Sequence, residues 1–452
     1  MNLIYGIKDK PKFGQIVLFA IQQLLAIMAA TIAVPAVVNA ATGSELTASA
    51  AIFGAGCGSV IYLLFTKSSS PVFLGSSFAF IGSMCSALAG AASMAAGYWG
   101  LIIGAAMAGL VYVIIAIVIK FCGVAWIEKL MPPVIIGPTV AIIGLSLSGN
   151  AVGDLMTSST EGGSVYVALI CGLVTLAVVM LCSTYGKKLG KLIPFILGVL
   201  AGYALASVFA VIGNLTGNAA LCVIDYSAFS GCGLFSFPDF TFILGSGGLA
   251  DINGGYLVTL FAAYVPVAFV VFAEHLADHE NLSSIIGVNL LETPGLTRTL
   301  LGDGIGSFVG SFFGGCPNTT YGESIGCVAI TRNASTISIW GCAVLCLFVS
   351  FVSPLMAFLE TIPNCVMGGV CIALYGFIAV SGFKMFQQVD LNQNRNLFVA
   401  STIFITGVGG MVVSFGAVEI RTVACALILG ILANVMLSKE DKDSDDPQSL
   451  IK

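Results

Sequence analysis

Charge is what this chain has least of: Asp, Glu, Lys and Arg make up 9% of its 452 residues, and histidine occurs only 2 times. Soluble globular chains carry roughly 25% charged residues, so a water-exposed domain of ordinary kind is excluded. The net charge of −5 carries little information, because much of it arises in the tail Lys439 to Asp446, a polar segment expected to be disordered. Most of the 14 cysteines lie singly inside apolar runs and lack metal-ligand spacing. They read as small buried hydrophobes, and no metal site is expected. Cys222 and Cys232 share one long polar loop, and whether they pair stays open. No nucleophile–base pair is evident, so an enzyme is not expected.

Apolar residues fill the space left by charge, at 58% of the chain with a mean hydropathy of +1.04. Segments of roughly 18–25 apolar residues recur from Ile16 to Leu437, each long enough to cross about 30 Å of hydrocarbon. Backbone groups in lipid must be paired internally, so these segments should be helices. The 54 glycines suit closely packed membrane helices. At the N-terminus, Lys8, Lys10 and Lys12 precede an apolar stretch and Val38-Asn39-Ala40, imitating a signal peptide. That stretch is too long for one, and reads as a retained first span.

The expected fold class is an all-α polytopic membrane protein. Its fourteen spans cover approximately 14–38, 45–66, 77–96, 98–121, 131–149, 164–184, 192–214, 253–277, 299–314, 323–332, 336–355, 362–382, 396–414 and 418–437. Basic residues favour the cytoplasmic side. With the N-terminus inside, all but Arg421 of the 17 basic residues fall there, and the loop 215–252, free of Lys and Arg, falls outside. Both termini are then cytoplasmic, in the cell membrane.

Internal similarity divides the chain. Met131-Pro132-Pro133-Val134-Ile135-Ile136-Gly137 echoes Ile362-Pro363-Asn364-Cys365-Val366-Met367-Gly368, and Gln22-Gln23-Leu24 matches Glu274-His275-Leu276. Pro71 to Ser76 resembles Pro317 to Glu323. Seven spans per half is odd, so the second half is inverted, a transporter signature with the site at midplane between interrupted helices. Spans 3 and 10 are the interrupted ones, each preceded by a short extended Pro- and Gly-containing strand.

Two interrupted helices offer two inward N-termini whose free N–H groups suit a carbonyl oxygen or an anion. Ser76, Ser77 and Phe78 lie at the first; Tyr321, Gly322 and Glu323 lie at the second. Phe78 can stack on a flat ring, and Glu323 can accept hydrogen bonds from ring N–H groups. The densest charge lies in Glu274-His275-Leu276-Ala277-Asp278-His279-Glu280. An acidic group at bilayer depth costs about 2.5–3.5 kcal/mol on insertion scales, so its presence needs a reason. Glu274 and Asp278, four apart, share a helical stripe; His275 and His279 form another about 100° round. Two close carboxylates in low dielectric resist carrying two charges, which suits a pair that takes up and releases a proton. Glu274, Asp278, Glu323 and His275 are the candidates for that role, while His279 and Glu280 read as helix-end groups at the cytoplasmic interface. The histidines have the i, i+4 spacing of a zinc pair, but Leu276 stands where a metalloprotease requires glutamate.

Asn318-Thr319-Thr320-Tyr321-Gly322-Glu323-Ser324-Ile325-Gly326, followed by Ala329-Ile330-Thr331-Arg332, resembles the signature of the nucleobase–ascorbate transporter family. The form Asn-Thr-Thr-Tyr-Gly-Glu is similar to its uracil permease branch rather than to the xanthine and urate branch. Leu74 to Phe80, Ala273-Glu274-His275, Pro363 to Val370 and Leu374-Tyr375-Gly376 also resemble uracil permease segments, so the likeness runs from about Gln15 to Leu437.

The resemblance implies a core domain of spans 1–4 and 8–11 (14–122 and 253–355) and a gate domain of spans 5–7 and 12–14 (126–215 and 360–437), followed by the tail 438–452. It implies uracil:proton symport with the proton as coupling ion and no other cofactor, and dimers formed through the gate domains. Glu274 and Glu323 would bind uracil, Phe78 would contact its ring, backbone N–H groups at Phe78 and Gly322 would meet its carbonyls, and Tyr375 would line the site from the gate side. Two positions depart from the family. Gln-His in the first span is here Gln22-Gln23, and the histidine four residues after the helix-8 glutamate is here Asp278. Either Asp278 takes over proton handling, or Glu274 and Glu323 manage without a histidine. Another nucleobase as substrate, or an anion carrier of the related sulfate-transporter architecture, are the alternatives.

Overall fold

The computed structural model describes residues 3–437 apart from 124–125, 127–129, 188–189, 191–192, 231, 416–417 and 421. The tail 438–452, and with it Lys439, Lys442 and Lys452, lies outside the described residues, as do Lys129, Lys188, Lys191 and Arg421. The described chain is mostly helical, and eight helical stretches, one of them the bipartite Pro133–Leu155, are long and apolar enough to cross a membrane.

In the first half these elements are α1 (Phe13–Thr42), α2 (Ala48–Phe65), strand β1 (Leu74–Ser76), a 3₁₀ turn (Phe78–Phe80), α3 (Ile81–Ala89), α4 (Met94–Cys122), α5 (Pro133–Ser146), α6 (Ser148–Leu155), α7 (Val165–Tyr185) and α8 (Pro194–Thr216). The second half has α9 (Gly254–Ile286), α10 (Leu296–Gly314), β2 (Asn318–Thr320), α11 (Gly322–Thr331), α12 (Thr336–Val349), α13 (Ser353–Glu360), α14 (Asn364–Phe386), α15 (Asn394–Val408), the strands β3 (Val413–Phe415) and β4 (Val418–Ile420), and α16 (Thr422–Met436).

Several expected spans differ from the structure; those over 336–355 and 396–414 are helical only to Val349 and Val408 before the helix breaks. The span expected over 77–96 is helical only through Ala89, because Ser93 restarts the chain as an N-cap, its hydroxyl accepting from the Ala96 N–H. The span expected to end at 277 continues to Ile286 and stops at Gly287, whose φ of 72° is left-handed. The last span starts at Thr422 rather than 418, because Val413–Phe415 and Val418–Ile420 pair as an antiparallel hairpin. Their β-branched and aromatic residues favour that choice once Gly410 (φ 68°) has ended α15. Cys222 and Cys232 are both free thiols; the first lies against α8 and the second 3.3 Å from Ser353 Oγ.

The helices pack in two groups. In one, α10 lies against α2 and α4, α12 against α1 and α2, and α9 against α3 and α4. A Cβ on Gly54 would come within 2.5 Å of the Gly310 carbonyl oxygen, so α2 and α10 touch backbone to backbone. In the other group α14 packs on α5, α6 and α7, with α8, α15 and α16 around them. Helices α1 and α9 contact both groups, and the space between the groups opens at α9. Only 33% of the most apolar window of α7 and of α8 is buried, against 61% for α1 and α9, so α7 and α8 present their apolar faces outward.

Candidate functional site

The two interrupted helices meet through their strands. Strands β1 and β2 pair antiparallel with Leu74 opposite Thr320, Gly75 opposite Thr319 and Ser76 opposite Asn318. The Ser77 N–H adds a bond to the Pro317 carbonyl at 2.8 Å. The chain therefore leaves the ladder at opposite ends, into the 3₁₀ turn at Phe78 and into α11 at Gly322, and the first-turn N–H groups at each start have no intrahelical partner. Tyr321 secures the ladder: its ring is buried and its hydroxyl donates to the Ser76 carbonyl at 2.8 Å. Gly75 leaves room for that ring, since a Cβ there would lie 2.3 Å from it.

A cavity of about 380 Å³ lies between the helix groups. On one side it is lined by Phe78, Glu274, Asp278, Thr319, Thr320, Tyr321, Gly322 and Glu323. Val140, Ser183, Phe195, Phe377, Ser381 and Lys384 face them from the other. Glu274 and Asp278 stand one turn apart on α9, and Glu323 occupies the first turn of α11. Gly322 has open space where a Cβ would be, so its backbone can approach a ligand. Asp278 Oδ2 accepts a 2.7 Å bond from the Thr320 hydroxyl, tying α9 to β2 at the cavity wall.

The remaining sequence candidates sit elsewhere. Tyr375 does not itself line the cavity; its ring meets Phe78 edge-on, with centroids 5.4 Å apart. Ser77 is fully buried and also behind the wall. His275 is fully buried, 2.6 Å from Asp303 Oδ2 through Nδ1 and 3.0 Å from Thr299 Oγ1 through Nε2. His279 corrects the reading of a helix-end group, because it is fully buried with Nε2 2.7 Å from the Tyr62 hydroxyl. The expectation erred because α9 runs on for seven residues beyond it and its histidine stripe turns into the protein. Gln23 is buried and donates to Ser324 Oγ, which also accepts from the Phe73 N–H at 3.1 Å.

Sequence reasoning missed Thr320, Thr319, Lys384 and Asp303. Asp303 carried a usable signal, being a lone carboxylate inside the Gly-rich α10. Thr320 and Thr319 carried none in their residue type, because threonine within a strand is unremarkable until the ladder places it. No group of three or more His, Cys, Asp or Glu suited to a metal ion occurs among the described residues.

Residues 14–415 match the model of a permease family, the xanthine/uracil permeases. A uracil permease of Bacillus caldolyticus is 37% identical over 96% of this chain and 94% of its own length. Uracil permeases of Bacillus subtilis (98% of this chain, 97% of theirs) and Escherichia coli K12 (94% and 92%) are each 34% identical. Among solved structures, the overall structure of SLC26A9 superposes with a TM-score of 0.65 at 14% identity, covering 94% of this chain and 64% of its own. The transmembrane domain of the cyanobacterial bicarbonate transporter BicA gives 0.57 at 17%, covering 95% and 99%. These structural likenesses concern the fold alone.

Proposed function

Given that the chain belongs to the uracil permease branch of the nucleobase–ascorbate transporter family, and is an integral membrane permease rather than an enzyme, we propose that its cavity carries uracil across the cell membrane by proton symport. The observation that carries this reading is the donor and acceptor inventory of the wall. Uracil offers two ring N–H donors and two carbonyl acceptors on a flat ring. Carboxylates of Glu274 and Glu323 accept the former, first-turn N–H groups at Phe78 and Gly322 meet the latter, and the Phe78 ring faces the base.

Asp278 shares the stripe of Glu274 and is steadied by Thr320, so it takes part in holding the coupling proton with Glu274 and Glu323. On this reading the chain crosses the membrane fourteen times with both termini cytoplasmic, a core group (spans 1–4 and 8–11) moves against a gate group (5–7 and 12–14) in alternating access, and dimers form through the gate groups.

Another nucleobase remains the nearest second reading. The fold is shared with proteins described as anion and bicarbonate transporters, but three carboxylates face this cavity and Lys384 is the one basic residue lining it among those described. Uptake of radiolabelled uracil into proteoliposomes, with an inward proton gradient and competing uracil, thymine, xanthine, hypoxanthine or bicarbonate, tests the reading. Gradient-driven accumulation blocked by cold uracil is expected. Accumulation blocked by xanthine and not by uracil would move the substrate to the other branch, and accumulation indifferent to the gradient would remove the proton.

A further inference from the structure

Helix α9 alternates acid and histidine twice, as Glu274-His275 and Asp278-His279, and the structure splits the two residue types between two faces. Both acids line the cavity, whereas both histidines are fully buried on a face of the helix about 100° round from them. Each histidine is bonded to a different helix. His275 reaches α10, with Nδ1 2.6 Å from Asp303 Oδ2 and Nε2 3.0 Å from Thr299 Oγ1. His279 donates from Nδ1 to the His275 carbonyl at 2.8 Å, and its Nε2 lies 2.7 Å from the hydroxyl of Tyr62 on α2. That hydroxyl is in turn 2.8 Å from Ser70 Oγ, and the two imidazoles stack with centroids 4.1 Å apart. Asp303, Thr299, Tyr62 and Ser70 are likewise buried.

We propose that His275 and His279 are positioning residues that clamp the rotation of α9 so that Glu274 and Asp278 face the cavity. The physical need is specific to a membrane helix. Neighbouring helices and lipid tails are equally apolar, so hydrophobic burial does not choose which face of α9 points inward. A one-residue turn of the helix swings a side chain by about 100° and would carry both acids off the wall. Pro266 removes a backbone donor upstream of the acids, so the segment after it needs anchors of its own. Polar bonds to α10 and α2 supply them, and their burial makes a broken one costly.

The inference rests on the uracil reading only for its transport readout, and a second readout is independent of substrate. Uptake kinetics and carbodiimide labelling of Glu274 and Asp278, followed by peptide mass spectrometry without substrate, are compared in the full-length wild type, Tyr62→Phe, His275→Leu and His275→Asn. Tyr62→Phe keeps the ring and deletes the partner of His279. It is expected to raise the KM for uracil roughly fivefold with Vmax and membrane level unchanged, and to slow labelling of both acids. His275→Leu should act in the same direction more strongly, and His275→Asn, which keeps a donor toward Asp303, should restore most of the loss. Unchanged KM and labelling in Tyr62→Phe, even with lowered thermal stability, would overturn the clamp and leave a purely structural role. Should His275→Leu fail to fold, Tyr62→Phe decides. If the wild type takes up no uracil, the transport reading fails while the labelling comparison still judges the clamp.

Discussion

Glu323 sits in the first turn of α11, where it meets the cavity. Replacing it with Gln keeps the shape but turns one of its two acceptor oxygens into a donor. Glu323→Gln is expected to abolish saturable uracil uptake; uptake that survives in proteoliposomes would dismiss the site assignment. Asp278 poses the complementary case. Its bond from Thr320 becomes charge-assisted when the acid is ionised, of a kind then worth about 1.5–3 kcal/mol. Asp278→Asn and Thr320→Val should therefore share a phenotype, with gradient-driven accumulation reduced about tenfold or more and uracil affinity changed less. Equal accumulation ratios in wild type and either variant would deny Asp278 its share in coupling. Neither histidine stands in for it, because both are buried away from the cavity.

At the scale of elements, two three-residue strands and one glycine-lined helix contact position the two helix starts. The β1–β2 ladder aligns two helix starts far apart in sequence, and Tyr321 pins it from above Gly75. Behind it, α10 and α2 touch through Gly54 and Gly310. A leucine at position 54 cannot fit against a carbonyl oxygen, and overpacking of this sort costs about 3 kcal/mol. Gly54→Leu is expected to lower the thermal midpoint of the purified protein and its folded yield, seen as loss of the monodisperse peak on heated size-exclusion samples. A midpoint equal to wild type would contradict the close approach. Sequence periodicity located these elements but misjudged some ends. The end of α9 was hidden because its polar residues are satisfied by α10 and α2, partners that no local window contains.

For the whole molecule, two helix groups flank the cavity, and the same fold occurs in a protein described as a bicarbonate transporter. Cavity chemistry therefore has to decide function here. The carboxylate-rich wall predicts that chloride, sulfate and bicarbonate at millimolar concentration leave uracil uptake unchanged, since an anion gains nothing from that field. Competition by any of these anions would bring the anion-carrier reading forward.

Residue chemistry alone identified the solvent and much of the cavity. Scarce charge and recurring apolar runs require helices in lipid, because unpaired backbone there is too costly. An acid in such a run needs a purpose, and that argument reached Glu274, Asp278 and Glu323, all of which line the cavity. Only the tertiary structure decided which face of α9 looks inward, that His275 and His279 are buried anchors, and that Thr320 holds Asp278. Those outcomes depend on hydrogen bonds between segments up to 217 residues apart, and contacts at that separation leave no trace in local sequence.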